Sequence, residues 1–261
     1  MTDPRTTLPE NVSLQQAYIA APYTTLGVAS GMGTQALFGQ RFQIFERRGD
    51  FAQGALISVL PKSKRIDYIG LIRASDLSGE AVTLTHSVKA VSAPVFIKAD
   101  IKSTIFRFLP RNATVSGQVS GDFLDLGGMG FIHLRHLTDI DAFSERPFTD
   151  IAADMLGLPY VWGGTGGNGV DCSGLVQSAL AAMGHDSPRD ADQQEVALGE
   201  AVDYADRRDG DLLFWAGHVG IVTQGDQLLH ANAHHMAVAL EPVSDAVSRI
   251  GPVRTVKRIT L

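Results

Sequence analysis

Hydrophobic and polar positions change their rhythm once along the chain. Up to about residue 140, apolar residues come in short runs separated by Gly, Pro, Ser and Asp, and beyond that point they recur at helical spacing. Arg41-Phe42-Gln43-Ile44-Phe45 alternates with period two and leads into the polar turn Arg47-Arg48-Gly49-Asp50. Runs 51–59 and 68–73 resume the β-rich pattern, and a second set follows at 82–84, 93–97, 105–108, 114–119, 122–126 and 130–134. Short strands at this spacing predict small β-barrels. Both sets close in the same manner, Tyr68-Ile69-Gly70-Leu71-Ile72 running on to Leu77 and Gly130-Phe131-Ile132-His133-Leu134 to Leu137, which suggests two copies of one β unit.

After Asp141 the texture becomes helical. Positions 148–156 carry Ile151, Ala152, Met155 and Leu156 on one helical face and stop at Gly157-Leu158-Pro159. A glycine-rich loop, Gly163-Gly164-Thr165-Gly166-Gly167-Asn168-Gly169, precedes a second helix predicted over 172–183, with Leu175, Val176, Ala179, Leu180 and Met183 on one face. Strands are predicted at 212–215, 219–222 and 228–230. The expected organisation is multidomain: an extension over 1–16, small all-β barrels over 17–79 and 80–140, and an α+β domain over 141–261.

Composition narrows the function classes. The 261 residues hold 22 Lys+Arg against 28 Asp+Glu, with 44% hydrophobic residues, which describes a soluble globular protein. No Lys/Arg run exceeds two residues, so the electrostatic footprint of a nucleic-acid binder is missing. The longest apolar runs, such as 179–183 and 212–216, fall short of the roughly 18 residues that span a bilayer. The opening Met1 to Glu10 is polar, and the expectation is a cytoplasmic protein. One cysteine excludes an internal disulfide and paired zinc motifs, leaving an inert thiol or a nucleophile.

The neighbourhood of that cysteine favours the nucleophile. The glycine loop lacks the Lys-Ser/Thr of a phosphate cradle. Asp171 is placed to cap the second helix, which puts Cys172 in its first turn, where unpaired amides and the helix dipole stabilise a thiolate. A thiolate needs a base and the base an orienting group. His218 stands just before the strand predicted at 219–222, and His230 ends the next predicted strand. A three-residue loop at Thr223-Gln224-Gly225 would set His218 directly opposite His230, whereas a two-residue turn at Gly225-Asp226 would put them on opposite faces. His230, His234 and His235 invite a metal reading, but His230 sits in a strand pattern and nothing completes a ligand set, so neither metal nor other cofactor is expected. Trp162, Phe214 and Trp215 are expected to pack the core or line the cleft.

These residues carry a resemblance. Leu158-Pro-Tyr-Val-Trp-Gly-Gly, Asp171-Cys-Ser-Gly-Leu-Val-Gln, Ser187-Pro-Arg-Asp-Ala-Asp-Gln-Gln, Asp209-Gly-Asp-Leu-Leu-Phe, Gly217-His-Val-Gly-Ile-Val and Leu229-His-Ala-Asn resemble, in order, the signatures of the NlpC family of papain-like bacterial cell-wall cysteine peptidases. The front half resembles the paired bacterial SH3-like barrels of that family's γ-D-glutamyl-L-diamino-acid endopeptidases, through Ala36-Leu-Phe-Gly-Gln-Arg-Phe and Tyr68-Ile-Gly-Leu-Ile. The resemblance implies that Cys172 attacks the scissile carbonyl, His218 carries the proton and His230 orients His218, with the Cys172 amide and the Tyr160 hydroxyl at the oxyanion. It also implies that Asp171, Ser173, Asp190, Tyr68 and Gln40, with Trp162 nearby, bind the stem peptide L-Ala-γ-D-Glu-diamino acid. Two positions depart from the relatives: Gln40 replaces a Glu, and Ala191 replaces a Ser. The implied activity is hydrolysis of the γ-D-glutamyl to diamino-acid bond in free stem peptides during murein recycling. The alternatives are an exported wall-lytic endopeptidase and an inactive wall-binding module.

Overall fold

The computed structural model describes residues 3–29, 31–79 and 83–260. The chain divides into two compact units, Met1–Phe143 and Ser144–Leu261.

The N-terminal unit is built of antiparallel sheet. Seven strands pair in the order Gly31–Leu37, Tyr23–Val28, Ile66–Arg73, Phe51–Ile57, Arg41–Arg48, Gln15–Ile19 and Leu77–Ser78. Their inward-facing residues, among them Ile19, Leu26, Phe42, Leu56 and Ile72, form one apolar cluster. A second module contains a five-stranded sheet, Ile105–Pro110, Ser92–Phe96, Phe131–His133, Phe123–Asp125 and Gln118–Ser120, and a three-stranded sheet, Thr114–Val115, His86–Val88 and Leu137–Asp139. Val88, Val95, Leu109, Val115, Leu124, Ile132 and Leu137 make its core. The unit is therefore β-rich as predicted, but the ladders are open rather than closed into barrels. The predicted strand over 114–119 is two short ones, and Val82, at the start of predicted run 82–84, lies outside the described residues.

The internal similarity seen in the sequence has a structural form. In each module a strand passes into one 3₁₀ turn, Ala74–Asp76 or Leu134–His136, and the next residue, Leu77 or Leu137, donates its amide to the first carbonyl of that turn. The modules touch where Gly39 (φ +77°) lies against Thr114. A Cβ there would fall 2.1 Å from the Thr114 carbonyl oxygen, so only glycine allows the Thr114 amide to reach the Phe38 carbonyl at 2.9 Å.

The C-terminal unit is α+β. A six-stranded antiparallel sheet runs Glu200–Val202, Thr255–Arg258, Leu212–Trp215, His218–Thr223, Gln227–Asn232 and Ala237–Pro242. Four helices accompany it: α1 (Phe148–Ala153), α2 (Cys172–Ala182), α3 (Ala191–Ala197) and α4 (Val243–Ile250). Helix α1 ends three residues before the predicted position. Ile151, Ala152 and Met155 are buried as its pattern requires, but Leu156 is 54% exposed, because the chain has left the helix before reaching it. Helix α2 is buried over Cys172 to Ala181, on all sides rather than one face. No helix among the described residues is long and apolar enough to cross a membrane.

Phe214, fully buried in the central strand Leu212–Trp215, is an anchor of this sheet. Phe214→Ala is expected to lower the stability of the C-terminal unit by about 3–5 kcal/mol. Urea unfolding followed by tryptophan fluorescence checks this, since Trp162 and Trp215 both report from this unit. A loss under about 1 kcal/mol would contradict the packing.

Candidate active site

The nucleophile end of the site is assembled around a buried ion pair. Asp171 caps α2 by accepting the Gly174 amide at 2.7 Å, and its second oxygen accepts the Gly163 amide of the glycine loop at 2.8 Å. Arg189, 1% exposed, grips the same carboxylate with both terminal nitrogens, at 3.0 and 2.7 Å, and also donates to Ser173 Oγ at 2.9 Å and the Gly164 carbonyl at 3.3 Å. Helix and loop approach so closely that a Cβ on Gly174 would sit 2.1 Å from the Gly164 oxygen. Cys172, a free thiol 7% exposed, is thereby fixed as the first residue of α2. Its Sγ accepts hydrogen bonds from the amides of Ser173 and Val219, the latter adjacent to His218.

The electrostatics differ from the expected thiolate. Burial pushes the Cys172 thiol up to about 12, the Asp171 charge pushes in the same direction, and the two amides and Arg189 only partly offset them. One helix turn of amides thus works against near-complete burial, which favours the neutral thiol.

The base end lies on the hairpin of strands His218–Thr223 and Gln227–Asn232. The turn is Gln224-Gly225-Asp226, with Gly225 and Asp226 both left-handed (φ +73° and +57°), and Val222 pairs with Leu228. The register is thus one residue further along each strand than predicted, and Gly220 rather than His218 stands opposite His230. Because the predicted and observed registers have the same parity, both imidazoles still share a face and meet diagonally. His218 Nε2 lies 2.9 Å from His230 Nδ1. His230 Nε2 lies 2.8 Å from Glu241 Oε1, and Arg249 holds Glu241 with two hydrogen bonds, one of them Nη1 to Oε2 at 2.9 Å. Burial pulls both histidines down to about 4, whereas the Arg249 hydrogen bonds hold Glu241 down at about 2.

The remaining predicted residues fall as follows. Tyr160, half-buried, has its hydroxyl pushed up to about 12 by burial, by Cys172 when ionised and by the charge of Asp171, so it stays a proton donor beside the nucleophile. Ser173 is tied to Arg189, and Asp190 caps α3 in a capping box with Gln193. Ala191 opens α3, buried. Trp162 is 67% exposed, while Phe214 and Trp215 are buried. Tyr68 and Gln40 belong to the N-terminal unit. There Gln40 is buried and donates to the Ile57 carbonyl at 2.7 Å and to Asp67 at 3.3 Å, and Asp67 pairs with Arg65 at 2.7 Å. His235 bonds Asn232 Oδ1 through its amide and Nδ1, at 2.8 and 3.0 Å. It lies with His230 and Glu241 in a group whose polar atoms are within 4.8 Å, where Arg249 already balances the carboxylate. Arg189, Glu241 and Arg249 were not singled out from sequence, although Arg189 lies inside the quoted Ser187-Pro-Arg-Asp run.

A helix-borne cysteine packed on a hairpin whose two strands carry paired histidines is the core of a cysteine-dependent hydrolase. Residues 157–249 match the model of the NlpC/P60 family. A γ-D-glutamyl-L-lysine dipeptidyl-peptidase of Bacillus subtilis (strain 168) is 29% identical over 216 residues, covering 76% of this chain and 71% of the relative. A probable endopeptidase of Corynebacterium glutamicum (strain R) is 39% identical over 93 residues, 34% of this chain and 44% of the relative. The crystal structure of an NlpC/P60 family protein from Bacillus cereus ATCC 10987 shares the fold, with a TM-score of 0.76 at 20% identity over 94% of this chain and 99% of that one.

The two buried imidazoles make the C-terminal unit acid-sensitive. In the unfolded chain they bind protons near 6.5, in the folded unit only near 4, so their contribution to stability is complete above pH 6.5 and lost as pH falls toward 4. The urea midpoint is expected to fall across that window, and less steeply in the His218→Asn/His230→Asn double variant. A wild-type midpoint constant from pH 7 to 4 would contradict the burial of neutral rings.

Proposed function

We propose that this protein is a cysteine endopeptidase that hydrolyses the γ-D-glutamyl to diamino-acid bond of peptidoglycan stem peptides, acting on free L-Ala-γ-D-Glu-diamino-acid peptides in murein recycling. The observation that carries the reading is the junction at Val219: its amide reaches Cys172 Sγ, and the residue before it, His218, is hydrogen-bonded to His230 at 2.9 Å. The name of the Bacillus subtilis relative, a γ-D-glutamyl-L-lysine dipeptidyl-peptidase, suggests the bond type. The N-terminal β modules are read as two SH3-like domains, and the cytoplasm as the compartment, where a reducing milieu keeps the single free thiol competent.

In the reaction, Cys172 gives its proton to the free nitrogen of His218, and the sulfur attacks the γ-carbonyl carbon. The tetrahedral oxyanion receives hydrogen bonds from the Cys172 amide and the Tyr160 hydroxyl. His218 then protonates the departing amine, leaving a thioester on Cys172. Water, deprotonated by the same imidazole, attacks the thioester, and the proton returns to sulfur as the γ-D-glutamyl product leaves. A base that is neutral above about pH 4 supports this cycle across the neutral range.

A second reading, a wall-lytic enzyme acting on peptides without a free amino terminus, is favoured by one observation. The Asp171 carboxylate already accepts from Gly163, Gly174, Ser173 and both Arg189 nitrogens, which leaves little of its charge for a substrate ammonium.

Purified protein is expected to release L-Ala-D-Glu from L-Ala-γ-D-Glu-diaminopimelate, and Cys172→Ala to abolish release; turnover that survives in the variant would sink the mechanism. Free peptides should be cleaved faster than N-acetylated ones, and equal rates would transfer the assignment to the wall-lytic reading.

Tyr160→Phe is expected to lower kcat by about a hundred- to a thousand-fold. Over the same substrate, kcat/KM should decline on the acid side only as pH approaches about 4, because the protonation that disables His218 is displaced there. An acid limb centred at 6.5 would show a solvated base.

A further inference from the structure

The proposed reaction uses Cys172, His218 and His230 and leaves two charges behind them without a task. Glu241 lies 8% exposed on strand Ala237–Pro242, and Arg249 stands in the last turn of α4. Both Glu241 oxygens are held by Arg249, and Oε1 also faces His230 Nε2 at 2.8 Å. The line Arg249, Glu241, His230, His218 is therefore continuous in hydrogen bonds and ends one residue from the amide on Cys172 Sγ.

Donor and acceptor roles along this line follow from its far end. A carboxylate paired with a guanidinium only accepts, so His230 Nε2 must carry a hydrogen. Neutral His230 then presents a bare Nδ1, which accepts from Nε2–H of His218. Neutral His218 with hydrogen on Nε2 has a bare Nδ1, the one nitrogen left to take a proton from sulfur. Reversing the first bond reverses them all and leaves Nδ1 of His218 protonated and unable to act as base. Besides Glu241, the charged or titratable groups that act on the two rings are Arg249, Asp171 and His235.

We propose that Glu241, clamped by Arg249, is a positioning residue of the peptidase reaction: it fixes the tautomer of His230, and through it that of His218, so that Nδ1 of His218 is the nitrogen that takes the Cys172 proton. This assignment rests on the cysteine–histidine reading of the site. It acts through two intervening rings and touches neither substrate nor sulfur.

Nitrogen-15 NMR of the full chain at pH 7 tests it directly. Both His218 and His230 are expected to carry hydrogen on Nε2 and none on Nδ1; a His230 found with hydrogen on Nδ1 overturns the assignment, and this readout needs no variant and no substrate. In Glu241→Gln the fixed tautomer should be lost and kcat should fall about 10- to 100-fold, the range for removing a group behind a ligand or base, with KM within about twofold. The acid limb of kcat/KM should move to lower pH, because the Glu241 charge raises both imidazoles in the intact chain. Glu241→Asp, which keeps the charge, should restore the tautomers and part of the rate. Wild-type kcat and an unmoved acid limb in folded Glu241→Gln would overturn the proposal. If the wild-type chain cleaves no stem peptide, the peptidase reading fails, and the tautomers still decide the hydrogen-bond direction.

Discussion

The C-terminal unit depends most on one interaction, the ion pair of Arg189 with Asp171. Three segments that are distant in sequence converge on it: the glycine loop through Gly163 and Gly164, the start of α2 through Gly174 and Ser173, and the approach to α3 through Arg189 itself. Both side chains are nearly closed to water, so each needs the other; breaking such a pair costs about 3–5 kcal/mol because it strands a buried charge. The carboxylate accepts at least five hydrogen bonds and the guanidinium donates at least four, which satisfies the condition under which a buried pair is tolerated. Asp171 is thus more than a helix cap. It sets where α2 begins, and the residue after it is the cysteine.

That arrangement explains the protonation of the resting site. A lone carboxylate next to Cys172 opposes thiolate formation; Arg189 offsets part of that field. Burial then acts on both reacting groups in the direction of neutrality, the thiol held up near 12 and His218 held down near 4. Charge separation in such a site is created with the substrate present, where the oxyanion donors and the developing imidazolium share a low-dielectric space and interact more strongly than in water. The Tyr160 hydroxyl, kept protonated by the same surroundings, is suited to donate there.

Much of this was legible in the sequence, and the parts that were not have a common cause. Period-two runs marked the β-rich N-terminal unit, and the glycine loop, Asp171 and Cys172 marked the start of α2. The hairpin register was missed by one residue on each strand because Asp226, not only Gly225, takes the left-handed conformation, a choice that local sequence leaves open between several glycine turns. Arg189, Glu241 and Arg249 were invisible for a different reason. A charged residue in sequence looks like a solvated one, and only the folded chain shows that its partner is buried beside it. The all-round burial of α2 is likewise a tertiary fact, since its polar Ser173, Gln177 and Ser178 break the pattern of a buried helix and are buried all the same. Gln177 donates to the Ser187 carbonyl and Ser173 receives Arg189, so hydrogen bonds substitute for the apolar faces that periodicity would require.

Two ion pairs, one behind each reacting group, also divide the labour of the site. Arg189 with Asp171 fixes the position of sulfur, and Arg249 with Glu241 stands at the end of the imidazole line. Each presents a carboxylate to a reacting group only after a guanidinium has bound it, so neither leaves a free charge to trap the cysteine or the base in an ion pair. A naked Glu241 would pull a proton onto His230 and, by repulsion, hold His218 neutral for the wrong reason; a naked Asp171 would hold the thiol protonated more firmly still. With both clamped, hydrogen bonding sets direction and burial sets neutrality, and the two properties are controlled by different residues. The separation favours a dry thiol and a dry imidazole that stay uncharged at rest, while the hydrogen-bonded line leaves one nitrogen of His218 outside it.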